Sequence, residues 1–281
     1  MQRTAEEIVK SCRKRLAQQR QDSENLSQEE KSTQTAISKK CPLGKCDGGG
    51  LIYVPEYDAY KKCECMKLAW QNRLLSFANI PKEFQELKVG DFDTEMYDDE
   101  CITAAKGAKA AAVGFVKNFD RIKETGRGLY FYSEMPGSGK TRLMASVGNA
   151  IVKMQSVSVR FITAANLFDK IKSTFNSEGN EYEEMLKELK EIDVLLIDDV
   201  GAEMPTEWTA SMFCSILNDR LTQSKITVFT SNYSVSALPY DERIRSRIDK
   251  MAVPIHFPEQ SIREKLAQIQ NEEFIRMLTE G

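Results

Sequence analysis

The sequence of 281 residues lacks any apolar run approaching the roughly 20 residues that a membrane-spanning helix requires. Its first 20 residues mix charged and apolar side chains without the apolar core of a secretory signal. We therefore expect a cytoplasmic protein with no membrane partner. Disulfides are rare in that compartment, so the seven cysteines are interpreted as thiols or metal ligands.

A strong charge of one sign is also missing, because the formal net charge is only -3. A nucleic-acid surface, if the chain has one, must then be a local patch. Residues 1–35 contain no Trp, Phe or Tyr, and residues 21–40 have the composition of a linker. A narrow stripe of Ile8, Cys12 and Leu16 predicts a charged helix. Two interpretations stay open: a solvated helix that caps its neighbour, or a stripe that docks on a partner helix.

Four cysteines are concentrated within 25 residues, at Cys41, Cys46, Cys63 and Cys65. The segments LIYVPEY and AYKK between the two pairs predict a short hairpin. Zn²⁺ prefers four soft ligands at tetrahedral corners, and a site with all four positions filled is structural. We predict such a zinc module, with four reduced thiols as the alternative. The other three cysteines (Cys12, Cys101, Cys214) stand alone and are expected to be small buried residues.

The rest of the chain predicts an α/β fold after a helical connector. Pro81 ends a first connector helix, the stretch DFDTEMYDDE (91–100) is expected to be a solvated acidic loop, and residues 101–119 are rich in alanine and helix-prone. From residue 128, predicted strands (128–133, 157–162, 193–198, 226–231) alternate with predicted helices (140–154, 164–175, 181–192, 209–221), with Thr163 as a helix N-cap. Such alternation indicates a parallel sheet covered on both faces. The predicted domains are a polar amino-terminal segment (1–40), the zinc module (41–66), the connector (67–127) and the α/β domain (128–281).

A phosphate-binding loop is predicted where the first of those strands meets a helix. The stretch YFYSEMPGSGKTRL contains the candidate nucleotide residues (Pro136, Gly137, Ser138, Gly139, Lys140, Thr141). Backbone N–H groups and the helix N-terminus would bind phosphate, Lys140 would reach the β- and γ-phosphates, and Thr141 would bind Mg²⁺. Glu134 stands where the pattern has its first glycine. We expect it to be tolerated at some cost in backbone strain, with its side chain in solvent.

Polar residues at the ends of two later strands complete the predicted ATP site. In VLLIDDVGAE, Asp198 would hold Mg²⁺ and Asp199 would orient or deprotonate the attacking water. In ITVFTSN, Asn232 would touch the γ-phosphate or that water, although an Asn that caps a turn is the alternative. The segment DERIRSRI supplies three arginines (Arg243, Arg245, Arg247) for a neighbouring subunit's γ-phosphate, unless they are a solvated basic helix.

These motifs, in this order, resemble the AAA+ ATPases, and most closely the bacterial replicative helicase loaders of the DnaC/DnaI type with their phage relatives. IDDVGAE, FTSNYS and the later Ser261-Ile262-Arg263 carry the similarity. The resemblance implies Arg247 as the arginine finger and Arg263 as a sensor-like arginine. It also implies a replicative helicase and single-stranded DNA as partners, self-assembly through the ATPase domain, and ATP hydrolysis that is slow before assembly.

Two rival functions stay open. One is a transposition helper ATPase, which usually lacks a four-cysteine module. The other is a zinc-dependent nucleic-acid-binding protein with a vestigial nucleotide site. For DNA contact the candidates are Phe168, Lys170, Lys172 and Phe175. Phe168 and Phe175 share one helical face, as core residues also do. We therefore expect at least one of them in the core and Phe175 as the exposed one.

Overall fold

The computed structural model describes residues 41–175 and 181–279. The predicted helix with Ile8, Cys12 and Leu16 and the linker at 21–40 lie outside the described residues. The chain divides into two compact units between Ala69 and Trp70. Among the helices described, none is long and apolar enough to cross a membrane.

The first unit contains the predicted hairpin, which is confirmed. Strands β1 (Leu51–Val54) and β2 (Ala59–Lys62) are antiparallel. A short 3₁₀ turn begins at Pro55, whose fixed φ suits a first helical position, and ends before Asp58. Asp58 has a φ of 43°, a left-handed conformation that aspartate tolerates better than most residues. Helix α1 (Glu64–Phe77) follows directly and continues into the second unit.

The second unit alternates helices and strands as the sequence predicts. Its helices are α2 (Asp99–Lys117), α3 (Phe119–Thr125), α4 (Lys140–Gln155), α5 (Ala164–Phe175), α6 (Glu181–Glu191), α7 (Glu207–Thr222), α8 (Glu242–Met251) and α9 (Arg263–Thr279). Its strands are β3 (Gly128–Tyr132), β4 (Val159–Thr163), β5 (Val194–Asp198), β6 (Ile226–Ser231) and β7 (Ala252–His256). Thr163 caps α5 as predicted, because the N–H of Asn166 donates to its hydroxyl at 3.1 Å.

The five strands form one parallel sheet in the order β4-β5-β6-β3-β7. Strands β5 and β6 are buried along their whole length, which explains their continuous apolar sequences. Hydrophobic clusters cover both faces of the sheet. The predicted α/β fold with a parallel sheet is thus confirmed. The sequence analysis did not predict β7. This strand lies at the edge of the sheet, where Pro254 is tolerated because a strand with only one neighbour does not need every backbone N–H as a donor.

Residues 70–127 pack into the core of the second unit. Leu74, Ile80, Phe92 and Phe115 share one buried cluster with Leu143 of α4. The carbonyl of Ala78 also accepts the N–H of Phe161, so this segment covers the edge strand β4. That residues 128–281 form a domain that folds independently stays a prediction. Because residues 70–127 share this cluster, a fragment from 128 onward would expose it.

The acidic stretch at 91–100 differs from the solvated loop predicted for it. Its charged residues are exposed, but Phe92 and Tyr97 retain only 2% and 4% of their surface. The two rings lie 6.0 Å apart, and Phe92 also contacts Phe257 edge-on at 5.9 Å. The expectation of a wholly solvated loop was therefore wrong, because the aromatic residues pack inward while the acids remain in water.

Candidate nucleotide-binding site and cysteine cluster

The phosphate loop connects β3 to α4 at the carboxyl edge of the sheet. Gly137 and Gly139 have φ of 78° and 94°, left-handed conformations that favour glycine. Glu134 is not among the residues with positive φ, and it is exposed. Its expected orientation toward solvent is therefore found, whereas the expected backbone strain is absent. The missing first glycine leaves this turn unstrained.

Lys140 lies inside the loop, with 7% of its surface exposed. Its Nζ donates to the carbonyl oxygens of Ser133 and Met135, both at 3.1 Å, and to Ser138 Oγ at 3.2 Å. Burial lowers the pKa of Lys140 to about 8, and the negative charges of Glu259, Asp199 and Asp198 oppose that shift. The ammonium thus points into the loop, where a bound phosphate would meet it.

Tyr97 holds the phosphate loop from the connector side. Its hydroxyl donates to the carbonyl of Ser138 at 2.6 Å. A Cβ added at Gly139 would lie 3.0 Å from the Tyr97 hydroxyl and 3.2 Å from the ring of Phe92. Sequence reasoning missed this contact, although two aromatic residues within an otherwise acidic stretch were the available signal.

Asp198 is held between two threonine hydroxyls at the end of β5. Thr141 Oγ1 donates to its Oδ1 at 2.8 Å, and Thr230 Oγ1 donates to the same oxygen at 2.6 Å. Burial raises the pKa of Asp198, while these two hydrogen bonds oppose the rise. The structure therefore brings together the two residues predicted to bind Mg²⁺. The sequence analysis gave no role to Thr230, although this residue lies in the same FTSN stretch as the predicted site residue Asn232.

Asp199 and Asn232 also meet at this edge of the sheet. The N–H of Asp199 donates to Thr230 Oγ1 at 2.9 Å, and Asn232 Nδ2 donates to Asp199 Oδ1 at 3.4 Å. Asp199 has a φ of 59°, which turns the chain sharply after β5. The sequence analysis did not assign a role to Glu203. Burial raises the pKa of its carboxyl, and the nearby negative charge of Asp199 raises the pKa further.

These groups line a cleft of about 640 Å³, which is in the usual range for small-ligand sites. The loop, Asp198, Asp199 and Asn232 form one side, and Arg263 and residues of α9 contribute to the rest. The three candidate finger arginines (Arg243, Arg245, Arg247) are not among the described residues that line it. Arg247 instead donates through Nη1 to the carbonyl of Arg243 at 2.9 Å. Their predicted role at a neighbouring subunit's γ-phosphate stays a prediction.

The DNA candidates of α5 divide between core and surface. Phe168 is 2% exposed and packs edge-on against Phe213 at 5.4 Å and Tyr240 at 6.3 Å. Its interpretation as a base-stacking residue is therefore wrong, and the core interpretation is confirmed for it. Lys172 is half-exposed, with its Nζ 4.0 Å from Asp169. The predicted exposure of Phe175 concerns a side chain outside the described part of the structure.

The four clustered cysteines of the first unit bring their sulfur atoms within 4.8 Å of one another. Cys41 Sγ lies 3.9 Å from Cys63 Sγ, and Cys46 Sγ lies 3.5 Å from Cys65 Sγ. Zn–S bonds of about 2.3 Å in a tetrahedron place sulfurs about 3.8 Å apart, so this arrangement fits Zn²⁺. Burial raises the pKa of the Cys41 thiol, but backbone N–H groups of residues 43, 45 and 46 outweigh burial and bring the pKa to about 6.

The remaining cysteines lie away from this cluster. Cys101 and Cys214 are partly buried, which is less than the full burial expected of them. Cys12 lies outside the described residues.

Comparisons with known proteins agree with the geometry of the nucleotide cleft. The family model of the bacterial DnaA ATPase domain matches residues 92–253, more than half of the chain. The uncharacterized protein YqaM of Bacillus subtilis (strain 168) is 30% identical over 201 residues, which are 69% of this chain and 62% of YqaM. The replicative helicase loader DnaC of Escherichia coli (strain K12) is 26% identical over 156 residues, 55% of this chain and 61% of DnaC.

A solved structure of DnaI is also similar to this chain. It is 29% identical with a TM-score of 0.54, and the match covers 63% of this chain and 94% of that one. The chain spans less than two thirds of the length of YqaM and of DnaC. The chain thus belongs to the family of the bacterial DnaA ATPase domain, as a AAA+ protein of the DnaC/DnaI type.

Proposed function

We propose that the chain is an ATP-dependent loader of the replicative DNA helicase onto single-stranded DNA, and that it acts as a slow ATPase switch in the cytoplasm. One observation carries the nucleotide part: Thr141, Asp198 and Thr230 form a hydrogen-bonded row beside the buried ammonium of Lys140. The helicase part is supported by the similarity to a protein named replicative helicase loader DnaC.

The phosphate loop would bind the nucleotide through its backbone. The amides of residues 137–141 and the N-terminus of α4 supply partial positive charge, and Pro136 precedes them in the loop. Lys140 exchanges its carbonyl partners for the β- and γ-phosphates. Thr141 and Asp198 would hold Mg²⁺, which neutralises charge on the phosphate oxygens when bound.

Hydrolysis would depend on the pair at the end of β5 and on a second copy of the chain. Asp199 orients or deprotonates the attacking water, and Asn232, which donates to Asp199, would contact the γ-phosphate or that water. Arg247 of a neighbouring copy would stabilise charge in the transition state. Because that arginine arrives only on self-assembly, the isolated chain hydrolyses ATP slowly.

The cysteine cluster would hold Zn²⁺ in a structural role. Its hairpin then presents three exposed tyrosines (Tyr53, Tyr57, Tyr60) on a rigid base. Exposed aromatic side chains are typical of protein interfaces, and a helicase subunit is the partner that the proposed function requires. Single-stranded DNA would contact the exposed lysines of α5, Lys170 and Lys172.

Mutation of the nucleotide site tests this proposal. Lys140→Ala should abolish MgATP binding, and Asp199→Asn should retain binding but stop hydrolysis. Lys172→Ala, which alters a charge outside the cleft, is the matched control for Lys140→Ala and should bind MgATP as the parent does. Retained hydrolysis in Lys140→Ala would exclude the site.

The finger is tested separately in the assembled protein. Arg247→Ala should lower the assembled rate and leave MgATP affinity unchanged, because the side chain acts on another copy. An unchanged assembled rate would move the assignment to Arg243. A zinc-dependent protein with a vestigial nucleotide site would show no effect of any of these substitutions.

A further inference from the structure

A short segment after β7 lies along the phosphate loop. We call residues 258–263 the loop brace. Ser133 Oγ donates to the carbonyl of Pro258 at 3.0 Å, and the N–H of Ile262 donates to the carbonyl of Gly137 at 3.0 Å. The brace is therefore hydrogen-bonded to the loop near both of its ends. Its last residue, Arg263, begins helix α9 and lines the nucleotide cleft.

Glu259 makes the densest set of contacts within the loop brace. Its carboxylate accepts hydrogen bonds from the backbone N–H of Glu134 at 3.1 Å and of Met135 at 3.0 Å. It also shares the single hydroxyl proton of Ser133 with the carbonyl of Pro258, and its Oε2 lies 3.1 Å from Ser133 Oγ. These donors lie at the entry of the loop, where the nucleotide-binding pattern has a glycine and this chain has Glu134. The turn is thus held by a side chain from 125 residues further along the chain.

The far end of the loop brace fits closely against Gly137. A Cβ added there would lie 2.7 Å from Ser261 Oγ and 3.2 Å from Arg263 Cβ. This close approach and the left-handed φ of 78° both favour glycine at this position. Contacts at both ends therefore fix one register between loop and brace, and that register sets where Arg263 enters the cleft.

An imidazole and an ammonium group, on two different elements, lie near Glu259. His256 Nε2, at the end of β7, lies 2.9 Å from Glu259 Oε1. The ammonium of Lys140 in α4 is close enough for Glu259 to favour its charged form. The carboxylate keeps about 41% of its side-chain surface in water, so its bonds are weaker than fully buried ones.

We propose that Glu259 is a positioning residue for the nucleotide: it fixes the entry of the phosphate loop in place of the missing glycine and sets the register of Arg263 over Gly137. This inference rests on the proposed ATPase function. Without Glu259, part of the binding free energy of the nucleotide must order the loop. That loss is the same in the ground state and the transition state, so it raises KM and leaves kcat nearly unchanged.

The test compares MgATP binding and steady-state hydrolysis in the full chain. Glu259→Ala should weaken mant-ATP binding and raise KM about tenfold, as expected for losing charge-assisted hydrogen bonds at a partly exposed site, with kcat within about twofold. Glu259→Gln keeps one acceptor oxygen and should lose only about threefold. Glu124→Ala is the matched control, because it removes an exposed carboxylate of α3 that does not line the cleft.

Each outcome decides the inference. A parent-like KM in Glu259→Ala, an equal loss in Glu124→Ala, or a fall in kcat with unchanged KM would overturn it. If Glu259→Ala does not fold, Glu259→Gln decides, and a parent-like KM there would also overturn it. A parent chain that binds no MgATP, or a Lys140→Ala variant that binds as the parent does, would instead refute the proposed function and this inference with it.

Discussion

Removal of the Tyr97 hydroxyl should weaken both the fold and the nucleotide site. Tyr97→Phe keeps the ring, which is 4% exposed, and deletes only the donor that reaches the Ser138 carbonyl at 2.6 Å. Because the ring is buried next to Phe92 and close to Gly139, we expect it to keep its position. The Ser138 carbonyl therefore loses this partner without a repacking of its surroundings.

The magnitude follows from that loss. A buried acceptor left without its partner costs about 1–3 kcal/mol of unfolding free energy. For a domain of roughly this size, about 2 kcal/mol corresponds to a Tm lower by about 4–8 °C. MgATP affinity should fall about fivefold, because the Ser138 carbonyl belongs to the peptide unit whose neighbours bind phosphate.

Thermal unfolding followed by circular dichroism and mant-ATP titration measure the two effects. Tyr57→Phe is the matched control, since Tyr57 is 78% exposed and its substitution should leave both values unchanged. A Tyr97→Phe variant with the Tm and the nucleotide affinity of the parent would refute the reasoning that the connector holds the phosphate loop.

Three further predictions concern the zinc site, the core and the domain boundary. Metal analysis should find one zinc per chain, lost in Cys41→Ser and retained in Cys214→Ser; a metal-free parent would exclude the site. Phe168→Ala should lower the unfolding free energy by about 3–5 kcal/mol, whereas Phe168→Leu should cost far less and leave DNA affinity unchanged; a selective loss of DNA binding in Phe168→Leu would restore its stacking role. A fragment of residues 70–281 should fold and bind MgATP, whereas one of residues 128–281 should aggregate; a soluble, ATP-binding 128–281 would show that the connector is dispensable.

Local patterns were enough to predict most of the α/β fold and the main nucleotide residues. The buried strands ending at Asp198 and before Asn232, and the glycine turn before Lys140, each have a signature within about ten residues of sequence. Their meeting at one edge follows from parallel strands alone. Those predictions therefore needed no knowledge of long-range packing.

The contacts that hold the loop in place were not predictable in this way. Tyr97 acts on a residue 41 positions away and Glu259 on one 125 positions away, so neither stands within a recognisable pattern. The base-stacking role considered for Phe168 was wrong for a different reason. Core packing and an exposed stacking face give the same helical periodicity, so the sequence pattern does not distinguish them. The strand β7 was missed because an edge strand with Pro254 and exposed residues lacks the apolar run that marks a central strand.

If the proposed function is right, nucleotide binding controls the affinity of this chain for a replicative helicase. The most direct test measures binding of the full chain to the purified replicative helicase of the same organism, with MgATP, with MgADP and without nucleotide. We expect a complex whose affinity differs between MgATP and MgADP, and a Lys140→Ala variant whose affinity is the same in all three conditions. No binding to the helicase in any nucleotide state, or equal affinity of the parent chain in all three, would contradict it.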